Sequence, residues 1–436
     1  MIDTALLERE SKGQPVRVGM VGAGAEGRAI ALQLGSPVPG IRLVGISNRT
    51  LEHGEKAFSQ AGIAAWRPAS SPAEAAKAIA AGNPVLTDDP SVLTACDAID
   101  VIVEVTGTID AAASTCLSAF EHRKQVVLVN AELDSLLGPI LKTKADQAGV
   151  VLTHTDGDEP GVAMTLLRYL RSVGLRPVAA GNLKGMVDHY RTPETQREFA
   201  EKYGLNPKKT ASFADATKLS METTVLANAT GFQAGRRGMY GPACKNVRDM
   251  AQLLPADQML STGLVDYALG AAPYTGAFVI VYEDSALKQA QLAYYKLGDG
   301  PFYVFYTPYH LPHVQIASTI GRAFIHRDAT IAPMAGPVCE VITVAKRNLK
   351  AGECLDGVGG FCAYGLIENT AAAREMAALP IGLSEGCMLT RDIRKDQAIS
   401  FSDVSLPPDR ISDGLWNEQA AKWPHSLPAP PVPTTR

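Results

Sequence analysis

Val16-Arg17-Val18-Gly19-Met20-Val21-Gly22-Ala23-Gly24-Ala25-Glu26-Gly27 is the stretch on which the reading of this chain turns. A short apolar run stops at a glycine, and a helical pattern follows from Ala25 to about Leu34, so the run reads as a buried strand feeding a helix. Gly22, Gly24 and Gly27 fall in the order G-x-G-x-x-G between the two. In a chain with 39 glycines the pattern alone says little; its place after a strand and at the start of a helix gives it meaning. Gly22 permits the tight turn, Gly24 lets backbone approach a pyrophosphate, and Gly27 lets helix and strand pack closely. The first helical turn, with Ala25 and Glu26, offers free N–H groups and the positive end of the helix dipole to phosphate. A dinucleotide is the implied ligand, with a flexible turn as the plain alternative.

Working outward, Ile41–Ser47, Val101–Val105, Gln125–Val129 and Val150–Thr153 are further apolar strands, and Leu51–Ala61 is helix-like. Apolar strands alternating with helices predict a parallel sheet covered on both faces. Residues 1–155 are therefore expected to form an α/β, doubly wound Rossmann domain. Residues 156–335 have longer polar loops and an aromatic cluster, Phe302-Tyr303-Val304-Phe305-Tyr306, and read as an α+β catalytic domain. Residues 336–410 hold short strands, Val341–Ala345 among them, and read as a small all-β module. Residues 411–436 end in a proline-rich stretch from Pro424 that reads as a loose tail.

Composition narrows the classes. At 46% hydrophobic and 20% charged the chain is not predominantly disordered. Lys plus Arg is 41 and Asp plus Glu is 45, a balance of −4 that argues against nucleic acid as partner. No apolar run reaches the roughly 18 residues of a membrane span, and the acidic start does not resemble a signal peptide. Seven scattered cysteines without a Cys-x-x-Cys pair suit a reduced, cytoplasmic setting.

The end of the second strand, Ser47-Asn48-Arg49, lacks the Asp or Glu that would hold the ribose 2′-hydroxyl of NAD. Arg49, with Ser47 and Asn48, is placed to grip a 2′-phosphate, which favours NADPH; an exposed arginine in a turn is the alternative. Thr106-Gly107 and Asn130 follow strand ends and are expected to line the nicotinamide half of the site. Asp156, Asp158 and Glu159 concentrate carboxylate at the domain junction. Asp158 and Glu159 would suit a divalent cation such as Mg or Mn, or cap the helix expected over Gly161–Leu170. Asp215, Lys218 and Glu222 are spaced to share one helix face: a surface ion-pair ladder, or a proton-donating lysine tuned by carboxylates. Lys184 reads as an anion binder in a glycine-flanked loop, and His310 as a weaker catalytic candidate or a structural histidine.

Three resemblances follow. The first half, through the glycine loop and Asp215-Ala216-Thr217-Lys218-Leu219, is similar to homoserine dehydrogenase. The C-terminal module, through Ala345–Glu353, Leu379–Leu383 and Leu389–Ile393, resembles an SAF domain. The combination resembles the 1-deoxy-D-xylulose 5-phosphate reductoisomerase-like (DRL-type) oxidoreductases, carried by Gly157-Asp158-Glu159-Pro160, Ala227–Gly231, Gly241-Pro242, Gly300-Pro301 and Pro308–Leu311. That resemblance implies a carbon-skeleton rearrangement followed by NADPH reduction of a (phospho)sugar-like substrate. Lys218 would then be the acid/base oriented by Asp215 and Glu222, Lys184 would bind the anionic end, and a homodimer is the default. A simple dehydrogenase on a small hydroxy or aldehyde acid is the alternative. A non-catalytic NADPH-sensing or assembly protein is the alternative from another class.

Overall fold

The computed structural model describes residues 1–424, and the chain divides into two compact units. Unit 1 is Met1–Asp158 with Leu311–Ala332; unit 2 is Glu159–His310 with the chain from Pro333 on.

Unit 1 contains the expected doubly wound sheet. Its strands are β1 (Val16–Val21), β2 (Ile41–Ser47), β3 (Arg67–Pro68), β4 (Val85–Thr87), β5 (Val101–Glu104), β6 (Gln125–Leu128) and β7 (Leu152–His154). All pair in parallel, in the order β3-β4-β2-β1-β5-β6-β7. The order reverses beside β1, so the loops leaving β1 and β5 diverge and open a crevice at the carboxyl edge. Strands β1 and β5 are largely apolar and buried on both faces because helices cover both. The helix Pro312–Gly321 belongs to this unit, with Ile316 and Ile320 buried among Val18, Met20, Ile30 and Leu34. Residues 311–332, expected in the middle domain, therefore complete the core of the first unit.

Unit 2 is built on a mixed sheet of β8 (Arg176–Lys184), β9 (Gln233–Ala234), β10 (Leu264–Leu269), β11 (Ala277–Tyr282) and β12 (Phe302–Thr307). Its order is β12-β11-β8-β10-β9, with β11 antiparallel to both neighbours and β10 parallel to both. The aromatic run at 302–306 is thus an edge strand. The helix Thr217–Thr230 is buried on nearly every side. It packs against the helix Glu159–Ser172 and the β8 sheet, and against β13 (Cys339–Ala345) and β14 (Ala363–Asn369). That enclosure suits the many small side chains along it, Thr, Ser and Ala among them.

Strands β13 and β14 pair antiparallel, as do β15 (Met388–Leu389) and β16 (Val404–Ser405). Bridges from Leu349 to Ile393 and from Val344 to Ala398 close these short pieces into a β module. The segment expected as tail begins instead with a helix, Ile411–Lys422, which buries Leu415. The rest of that tail, from 425 on, lies outside the described residues. Among the described residues no helix is long and apolar enough to cross a membrane, and all seven cysteines are free.

Candidate active site

In unit 1 the glycine loop has the geometry its spacing implies. Gly22 has φ +110° and donates its N–H to the Ser47 carbonyl at 2.8 Å. A Cβ there would stand 2.8 Å from the Val105 carbonyl carbon, and one on Gly27 would collide with the Gly22 carbonyl. A Cβ on Gly24 would meet nothing within 4 Å. The first and third glycines are therefore required by the fold, whereas the second leaves open space in front of the helix Ala25–Gly35. Asn48 accepts from the Ala23 N–H at 2.9 Å and donates to the Thr50 carbonyl at 2.7 Å, tying the loop to the end of β2. Arg49 is exposed beside it. Ser47, expected to join Arg49 at a 2′-phosphate, is fully buried and its hydroxyl does not reach the surface. Side chains alternate along β2, and Ser47 still follows the inward half of that alternation. Glu26 faces His313 at 3.5 Å.

Thr106 and Asn130 are joined by a residue that the sequence reading did not single out. Glu104, fully buried at the end of β5, accepts from the Thr106 N–H at 2.9 Å, the Thr106 hydroxyl at 2.5 Å and Asn130 Nδ2 at 2.8 Å. Asn130 also donates to the Thr108 carbonyl and caps the helix Ala131–Ala148 through the Leu133 N–H. Burial pushes the Glu104 carboxyl up, against these hydrogen bonds. The loops after β5 and β6, with Gly107 at φ +62°, are thus set by one buried carboxylate. The same unit holds a second unanticipated group. His154 lies between Asp158, 2.8 Å from Nε2, and Asp134, 3.1 Å from Nδ1. Burial opposes its charge, yet the two carboxylates carry its pKa up to about 9. A single acidic residue inside an apolar strand, and a lone histidine ending one, were the available signals.

In unit 2, Lys184 closes β8 rather than lying in a glycine loop. Strand alternation puts it on the same face as Asn182, toward the helices Glu159–Ser172 and Thr217–Thr230. Its ammonium is 2.5 Å from Glu159 and 3.4 Å from Glu222, both buried, and Asn182 Nδ2 donates to Glu222 at 3.1 Å. His310 is 2.9 Å from the Thr275 hydroxyl and 3.9 Å from Glu159. Glu159, Glu222, Lys184 and His310, far apart in sequence, therefore form one polar cluster. The helix over the acidic junction starts at Glu159, two residues before its expected start.

Residues 157–316 match the family model for the catalytic domain of the oxidoreductase DRL. No curated protein matches the chain. Among solved structures, a homoserine dehydrogenase from Thiobacillus denitrificans is similar at 15% identity and TM-score 0.42, over 78% of this chain and 83% of that one. A scyllo-inositol dehydrogenase from Lactobacillus casei, with bound NAD(H) and scyllo-inositol, is similar at 12% identity and TM-score 0.36, over 61% and 73%.

Within the matched segment the Asp215–Lys218–Glu222 set is not one helical face. Asp215 ends the helix Pro207–Ala214, Ala216 turns the chain at φ +73°, and only Lys218 and Glu222 share the helix that follows. Asp215 pairs with Lys346 of the β module, 2.7 Å away, both essentially fully buried. Burial pushes the Asp215 carboxyl up, opposed by that ammonium. Lys218 is half-buried. Spacing of three and four residues suggested a continuous helix; the left-handed residue at Ala216 breaks it.

Proposed function

We propose that the protein is an NADPH-dependent oxidoreductase that reduces the carbonyl of a small anionic, (phospho)sugar-like substrate. The observation that carries the reading is the open space at Gly24 before a helix N-terminus, in a chain whose residues 157–316 match an oxidoreductase catalytic domain. Bound NADPH supplies a hydride to the carbonyl carbon. The first-turn N–H groups at Ala25 and Glu26 bind its pyrophosphate, and Arg49 with Asn48 takes the 2′-phosphate. The Glu104-braced residues Thr106, Gly107 and Asn130 orient the nicotinamide.

In unit 2 the Lys184 ammonium, held between Glu159 and Glu222, binds the substrate's anionic group or its developing oxyanion. Lys218, one helical turn before Glu222, donates the proton to that oxygen. Oxygens of Glu159 and Glu222 lie within 4.8 Å of each other, a pair of buried hard donors that fits a divalent cation. These two carboxylates would hold Mg or Mn in place of the Lys184 ammonium, and such an ion would polarise a carbonyl. The protein acts as a homodimer in this reading.

The test follows NADPH absorbance with 1-deoxy-D-xylulose 5-phosphate, with and without Mg or Mn. Oxidation with release of a rearranged product supports the reductoisomerase form. Oxidation only with unrearranged aldehydes or hydroxy acids in reverse favours a simple dehydrogenase. Tight NADPH binding with no turnover across such a panel refutes the catalytic reading and leaves a sensor. A Lys218→Met protein with full turnover would remove Lys218 from the proton role.

A further inference from the structure

The β module contributes no residue to the Lys184 cluster described above, yet its contacts converge on the chain that leads out of it. Lys184 is followed by a partly exposed loop, Gly185-Met186-Val187-Asp188-His189-Tyr190-Arg191, before the next helix. Lys346, next after β13, has its ammonium 2.7 Å from Asp215, 2.7 Å from the Arg191 carbonyl and 2.7 Å from the Gly360 carbonyl. One buried cation therefore joins the loop, the turn before the Lys218 helix and the module itself. A second anchor lies farther out. Asp396 accepts from the Tyr190 hydroxyl at 3.0 Å and the Tyr364 hydroxyl at 3.1 Å. His189 stacks on the Tyr364 ring with centroids 4.7 Å apart, and its Nδ1 is 2.9 Å from the Asp215 carbonyl oxygen. Lys395 lies over the Tyr190 ring at 3.6 Å. The Lys218 helix is tied in the same way: the Gly365 N–H donates to the Thr217 hydroxyl at 2.8 Å, and Ser220 donates to the Gly365 carbonyl at 3.1 Å.

We infer that the C-terminal β module is a built-in strap for the loop 185–191, with Lys346 and Asp396 as positioning residues that set where substrate meets Lys184. A lysine with one carboxylate and two carbonyl oxygens at 2.7 Å and almost no exposure has no spare capacity for a ligand, so its role is to hold segments together. The loop itself has few backbone partners; Asp188 donates its N–H to the Ala214 carbonyl, and Arg191 to the Asp188 carbonyl. Without the strap such a segment opens locally while the sheet beneath it stays closed.

Hydrogen exchange on the full-length protein tests this. The double variant Lys346→Met/Asp215→Asn removes the cation without leaving a bare buried carboxylate, and Asp396→Asn is a milder second variant that keeps every buried charge paired. In each, amides of 186–191 are expected to exchange about tenfold faster or more, while β8, β13 and β14 keep their protection and NADPH affinity is unchanged. Unchanged exchange of 186–191 in both variants overturns the inference. Equal loosening of β13 and β14 also overturns it, because the effect would then be unfolding of the module. A second arm rests on the proposed function: in Asp396→Asn, with 1-deoxy-D-xylulose 5-phosphate, KM rises about tenfold while kcat stays within about twofold. A fall in kcat at constant KM counts against positioning of substrate. Absence of turnover in the unmodified protein would defeat the proposed function, with the exchange arm still deciding the strap.

Discussion

Replacing Glu104 with glutamine separates a brace for the cofactor loops from a merely buried polar group. Glutamine keeps an acceptor for the Thr106 N–H and hydroxyl, now 2.9 and 2.5 Å from the carboxylate. Its amide nitrogen then falls opposite Asn130 Nδ2, at present 2.8 Å from the other carboxylate oxygen, so two donors meet. A lost hydrogen bond to a charged acceptor is worth about 1.5–3 kcal/mol. Relief of the carboxylate's desolvation, which raises its pKa in the folded protein, works the other way. A net loss of about 1–2 kcal/mol in urea unfolding at pH 7 is expected. Because Asn130 must turn away, it also releases the Thr108 carbonyl, and both loops lose their common anchor. NADPH affinity, read by nicotinamide fluorescence, is expected to weaken about tenfold, equivalent to about 1.4 kcal/mol. Unchanged NADPH affinity alongside the stability loss would show that the network serves the fold alone. Unchanged stability and affinity together would show that Glu104 is already protonated at pH 7, which glutamine mimics.

Gly24→Val adds a side chain where no protein atom lies within 4 Å of a Cβ. It should leave Tm within about 3 °C while weakening NADPH about a hundredfold or more; a large drop in Tm would refute open space as the reason for this glycine. Arg49→Ala should weaken NADPH about tenfold and leave NADH unchanged in titrations of both, and parallel loss of the two would remove the 2′-phosphate contact. Asp266 accepts backbone N–H groups from Tyr240, Gly241 and Tyr267, yet burial carries its pKa from 3.8 up to about 6. A raised carboxyl contributes stability fully below pH 3.8 and loses it as pH rises through 6, about 3 kcal/mol in total. The unfolding free energy of the unmodified protein, relative to Asp266→Asn, should therefore be larger at pH 4.5 than at pH 7.5. The opposite slope would refute the assignment.

Five of the seven strands of the first unit were legible because each of these is a short apolar run ended by a turn, a signal that local sequence carries in full. β3 and β4 were missed because strands of two and three residues show no periodicity. The helix Pro312–Gly321 was assigned to the wrong domain because its apolar face says only that it is buried, not against what. Lys218 and Glu222 sit on one helix as spacing required, but Asp215 does not, since an alanine at positive φ has no sequence signature. Glu104 and His154 ended strands and Lys346 followed one, each an isolated polar residue, and no local rule distinguishes a solvated one from a buried one.

By itself, then, the sequence determined the glycine loop and the parallel sheet that presents it. These rest on nearest-neighbour chemistry: turn geometry at particular glycines, and the alternation of apolar runs with helices. Which charges neutralise one another was decided only by the tertiary structure. Lys184 meets Glu159 and Glu222, and Asp215 meets Lys346, across chain separations that no spacing rule spans. A buried charge must find a partner wherever packing brings one, and that choice is made by the whole fold.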